Sequence, residues 1–96
     1  MQYQLVTVDD FFANKETYLS VVSLAEREDV AIGQLVKVIM KIADGSVVIE
    51  EKLWVEVMEA ENGFYIGKLV DGSTQSDNLP AGKNIDFSCE HIIMIW

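Results

Sequence analysis

The chain has 96 residues, with 16 acidic and 7 basic side chains and a formal net charge of −9. That balance argues against binding nucleic acid or an anionic membrane, both of which recruit basic surfaces. Half of the residues are hydrophobic and 24% are charged, the composition of a single folded domain over residues 1–96 rather than of a disordered chain.

The first helix start is Thr7-Val8-Asp9-Asp10, where an acid three residues after a threonine has capping-box spacing. Val6 and Phe11 are placed to form a hydrophobic staple across it, and the helix is predicted over about Val8 to Glu16. Tyr18 to Val22 is β-branched and aromatic and reads as extended. Ser23-Leu24-Ala25-Glu26 is a second capping box, opening a short helix that runs through Asp29 and ends near Gly33.

From Leu35 the hydrophobic period changes to two. Val36, Val38, Met40 and Ile42 line one face of a strand, and Asp44-Gly45 marks a hairpin turn. A second strand follows from about Val47 to Glu59, with Leu53, Val55 and Val57 facing the core. Asn62-Gly63 marks the next hairpin, and Phe64 to Val70 form the third strand. A polar connection covers Asp71 to Gly82. Asn84 to Ser88 and Ile92 to Trp96 read as the last two strands, with a tight turn at Ser88-Cys89-Glu90.

The pattern is α+β: a helical N-terminal segment, residues 1–33, packed on a five-stranded, strongly bent antiparallel sheet over residues 34–96. Five strands with a tight turn before the last favour an SH3-like barrel, and an open sheet covered by the helices is the competing architecture. Several strands are apolar on both faces. Leu35 and Ile39, Trp54 and Met58, and Ile93 and Ile95 lie opposite the expected core rows. Either Phe11, Phe12 and Leu24 cover that second face, or it is a dimer or partner surface.

Chemistry-bearing motifs are sparse. Cys89 is the single cysteine and His91 the single histidine, two residues apart at the last turn. A nucleophile and base could be assembled from them, but a small packed cysteine and a turn histidine account for the same residues. One of each is too few for a structural zinc site. No glycine spacing matches a phosphate-binding loop, so no cofactor and no metal is expected. Glu56 projects on the same side as Trp54, where burial would raise a carboxyl pKa and suit it to acid chemistry, although a lysine partner on a neighbouring strand is the plainer role. Trp54, Glu56, Tyr65 and Trp96 are the candidate binding residues, read as an aromatic groove of the kind small barrels use for peptides. Packing of Trp54 beneath the N-terminal helices is the plainer reading of that residue.

The pieces Glu26-Arg27, Gly33, Val36-Lys37, Glu51 to Val57, Tyr65 to Leu69, Leu79, Gly82, Ile85-Asp86-Phe87 and Glu90 to Ile93 occur in an order that resembles a family of small bacterial domains of unknown function, some of them attached to ankyrin repeats. Asp71-Gly72-Ser73-Thr74 stands where that family commonly has Asn-Asp-Pro, and Gly33-Gln34 where it has glycine and aspartate. The resemblance implies a strand-rich domain with short N-terminal helices and no established activity.

The functional expectation is a non-enzymatic protein-interaction module, with a protein partner and a possible homodimer. An acidic inhibitor or immunity protein for a basic toxin or nuclease is the alternative, because net charge −9 suits steering onto a basic partner. A small enzyme using Glu56 or Cys89 and His91 is the remaining reading. Met1 to Asp10 lacks a basic segment followed by an apolar core, and a lone cysteine makes no internal disulfide; both predict a cytoplasmic location.

Overall fold

Alternating apolar residues from Leu35 onward, joined by a short N-terminal strand, build one curled antiparallel sheet. The computed structural model describes residues 2–12, 22–74 and 78–96. The strands are β1 (Gln2–Leu5), β2 (Leu35–Asp44), β3 (Val47–Glu61), β4 (Phe64–Leu69), β5 (Asn84–Ser88) and β6 (Ile92–Ile95). Two short helices, α1 (Val8–Phe12) and α2 (Leu24–Glu28), precede β2, and a one-turn 3-10 helix (Cys89–His91) links β5 to β6.

The strand order is β1-β2-β3-β4-β5, and β6 also pairs with β2. β6 occupies the start of the β2 edge, at Val36 to Val38, and β1 occupies its far half, at Met40 to Ala43. β1 is an addition to the sequence reading, which placed only helices and one extended stretch in the N-terminal third. It pairs because Gln2 to Leu5 lie alongside the β2 edge that β6, only four residues long, leaves open. Most of the extended stretch expected at Tyr18 to Val22, and the last turns of the first expected helix, lie outside the described residues.

Both hairpins form where expected, with one adjustment. Asn62 and Gly63 adopt φ of 51° and 81°, the left-handed pair that a type I′ turn needs. In the first hairpin Asp44 is still paired with Val47, so Gly45 and Ser46 form the turn instead of Asp44 and Gly45. Moving a two-residue turn by one position moves the strand register by two.

The concave face holds one cluster, built from Val36, Val38, Met40 and Ile42 of β2, Leu53, Val55 and Val57 of β3, Tyr65 and Leu69 of β4, and Ile85 and Phe87 of β5. Burying each of these aliphatic side chains contributes about 1.5–3 kcal/mol. Gly67 sits where β4 crosses this core. A Cβ there would lie 2.3 Å from Val55 Cγ1 and 2.8 Å from the Glu56 carbonyl oxygen.

The second apolar face is covered in part. Val8 and Phe11 of α1, with Val6, close over Ile39 and Ile93. Phe11 therefore acts as expected. Leu24 does not, being 51% exposed. A bulge in the β2–β6 ladder between Lys37 and Val38 shifts the alternation of β6. Ile95 consequently packs on the main core, and Met94 faces outward, the reverse of strict alternation.

Candidate functional site

The outer face of β3, β2 and β6 carries the two tryptophans. The ladder sets Trp54 opposite Lys37, and Lys37 opposite Met94. Lys37 Nζ lies 4.7 Å from the Trp54 ring centroid, a cation–π distance. The Trp96 backbone N–H donates to the Leu35 carbonyl at 2.9 Å, extending the β6 pairing by one residue. That bond brings the two indoles together edge to face, with centroids 5.8 Å apart and planes at 87°. Trp54 is half-buried, whereas Trp96 is 82% exposed. Met94 and Val70 expose further apolar surface, and the Val70 N–H donates to the Trp54 carbonyl at 3.0 Å.

Trp54 thus has an indole and an ammonium as neighbours on the open face. Helix α1 covers the adjoining part of that face, where Lys52 Nζ lies 5.6 Å from the Phe11 ring. Glu56 is exposed, in register with Leu35 on one side and Lys68 on the other. The buried carboxyl beside a tryptophan that acid chemistry would use is not formed.

Tyr65 does not belong to this surface. It points into the core, is 3% exposed, and stacks on Phe87 with ring centroids 5.4 Å apart. Its hydroxyl donates to the Arg27 carbonyl at 2.6 Å and accepts from the Val30 N–H at 3.3 Å. It ties the end of α2 to the curled sheet. Burial, the larger cause, together with the nearby Cys89, Asp29 and Glu28, raises its phenol pKa; the Val30 N–H opposes the shift. The expected Trp54/Tyr65/Trp96 groove is therefore corrected to a Trp54/Trp96 pair. In β4 the residues with the parity of Gly67, Tyr65 among them, line the core.

Cys89 and His91 hold the last turn. The Cys89 N–H donates to the Gly63 carbonyl at 2.9 Å, and the Cys89 carbonyl accepts from Arg27 Nη1 at 3.0 Å. His91 Nδ1 accepts from the Ser88 N–H at 3.0 Å, completing a capping box in which the Ser88 hydroxyl accepts from the Glu90 N–H at 3.3 Å. Burial lowers the His91 pKa, with Glu90 pulling the other way. With Nδ1 accepting a backbone proton, the neutral ring carries its own proton on Nε2. A general base would need that lone pair free.

Two features escaped the sequence reading. Glu51, in the core-facing row opposite Met40, is held by Ser73 and Thr74 across the β4–β5 connection. The Ser73 hydroxyl donates to Oε1, and the Thr74 N–H and hydroxyl donate to Oε2 at 3.0 and 2.9 Å. An acid at an alternating apolar position was the available signal. The other feature is a concentration of carboxylates at one end of the fold. Phe64, 69% exposed, stands between two shallow grooves, one flanked by Glu28 and Glu90 and the other by Glu59 and Glu61. Charge is spread evenly along the chain, so only the folding of α2 against the β3–β4 turn reveals this end.

Among the described residues, no three His, Cys, Asp or Glu side chains are placed to hold a metal ion. No described helix is long and apolar enough to cross a membrane. No family model, no curated protein and no solved structure matches the chain.

Proposed function

We propose that this chain is a non-enzymatic protein-interaction module built on an SH3-like barrel, acting in the cytoplasm of a bacterial cell. The barrel reading rests on connectivity: β2 to β5 form a meander, a single 3-10 turn follows, and β6 returns to pair with β2. The interaction reading rests on one observation, the exposed Trp96 indole held against Trp54, with Lys37 over the Trp54 ring. Such an aromatic pair offers a large, preorganised apolar anchor at small entropic cost, the usual make-up of an interface centre.

The acidic end favours a second reading, an inhibitor or immunity protein for a basic toxin or nuclease. Phe64 would supply the anchor there, and Glu28, Glu59, Glu61 and Glu90 the steering charge.

Capture from native lysate separates the two. The tagged domain, Trp96→Ser, and a variant carrying Glu→Gln at 28, 59, 61 and 90 are washed at low and high salt, with circular dichroism confirming the fold of each. The first reading expects a salt-resistant partner lost only with Trp96→Ser. The second expects a basic partner lost at high salt and with the glutamine variant. A partner retained by both variants refutes both sites.

A further inference from the structure

The outward row of β4 is Phe64, Ile66, Lys68 and Val70, and the strand pairing fixes what stands beside it. Glu61 is opposite Phe64, and Glu59 and Asp86 flank Ile66. Glu56 is opposite Lys68. Beyond that row Lys37 lies against Trp54, and Lys52 follows two residues along β3. One face of the sheet thus carries Glu59, Glu61 and Asp86 toward Phe64, and Lys37, Lys52 and Lys68 toward the tryptophans, in a chain with only 7 basic residues. Phe64 and Val70 are six residues apart, about 20 Å along the strand. Each end also offers an apolar anchor: Phe64 is 69% exposed and Trp96 82%, with Met58 exposed between them.

This layout is complementary to itself. A two-fold axis crossing the strands beside Glu56 and Lys68 reverses strand direction between two facing copies. The carboxylate end of each copy then lies on the lysine end of the other, and Phe64 of each approaches the tryptophan end of the other. Stacking in the same direction would set like charges together, which costs association. We propose that this face is the interface of a two-fold homodimer, an inference that rests on Trp54 and Trp96 forming an interaction surface and names its occupant. Charge decides that occupant. The undescribed residues 13–21 carry one lysine and one glutamate, and residues 75–77 one aspartate, so neither segment complements both ends. An unrelated partner would need the same two-ended layout, which a second copy already has. Net charge −9 opposes association, but at 0.15 M salt charges farther apart than about 8 Å are largely screened, and the facing pairs lie inside that distance.

The test is sedimentation equilibrium of the whole domain at about 5–500 µM in about 0.15 M salt. A monomer–dimer equilibrium is expected, weakened about 10-fold or more by Trp96→Ser. Glu59→Lys with Glu61→Lys makes both ends basic, and Lys37→Glu with Lys52→Glu makes both ends acidic. Each double variant alone should lose about 10-fold or more in association, with circular dichroism confirming its fold, and an equimolar mixture should restore a 1:1 dimer. A wild-type monomer throughout that range overturns the proposal. So does a dimer unaffected by Trp96→Ser or by the double variants, or a mixture of folded variants that stays monomeric. A monomer that still captures another protein, and loses it with Trp96→Ser, overturns the dimer alone and leaves the Trp54/Trp96 surface standing.

Discussion

Replacing Tyr65 with phenylalanine separates a structural tyrosine from a binding one. Tyr65→Phe keeps the ring stacked on Phe87 and removes only the hydroxyl. Two hydrogen bonds vanish, to the Arg27 carbonyl and from the Val30 N–H. Each contributes about 0.5–1.5 kcal/mol net, and an orphaned buried donor costs about 1–3 kcal/mol. Val30 is buried, so its N–H stays dry, whereas the part-buried Arg27 carbonyl can turn to water. The expected loss is about 2–3 kcal/mol. With a urea m-value of about 1–1.5 kcal/mol/M for a domain this size, the midpoint should fall by about 2 M. The folded phenol pKa is raised, so the folded state holds that proton more tightly than the unfolded chain does. The associated stability is full below about pH 10 and is lost as pH rises through the folded value. Tyr65→Phe should therefore also flatten the alkaline limb of a plot of stability against pH. A variant within about 0.5 kcal/mol of wild type that still loses its partner would refute the reasoning and return Tyr65 to the binding surface.

Three further outcomes are expected. Gly67→Ala should cost about 3 kcal/mol in denaturant unfolding, because its methyl meets the Glu56 backbone carbonyl, which cannot rotate away; a neutral result would contradict the packing. His91 has a folded pKa below its unfolded value, so its contribution is present above about pH 6.5 and falls away as pH drops through the folded value. Melting temperature should decline as pH falls below about 6.5, and His91→Gln, which keeps an acceptor for the Ser88 N–H, should reduce that decline. Glu51→Ala should cost about 1–2 kcal/mol and expose the β4–β5 connection to protease, read by cleavage between Val70 and Pro80 in the otherwise folded domain.

The legible part of the fold was local. The period-two runs, the Asn62-Gly63 turn and the Ser23 cap depend on residues within a few positions of one another, and each forms as read. Trp96 has the parity of Ile92 and Met94 and reaches the outer face only through the β2–β6 bulge, whereas the same rule placed Trp54 off the core rows. It misplaced Tyr65, because an aromatic side chain suits a groove or a core equally, and only strand parity decides which. It missed β1 because four residues with little alternation carry too weak a signal, and their pairing depends on an edge made 35 residues later.

The amino-acid order alone determined an acidic, strand-rich domain with a sparse set of catalytic side chains, since charge and alternation are sums over neighbours. Tertiary structure decided which neighbours meet. The β2–β6 bulge turned Ile95 inward, and packing of α2 beside the β3–β4 turn gathered carboxylates that the chain spreads apart. Those outcomes depend on register and closure, which couple residues far apart in the chain and so leave no mark within any short window of sequence.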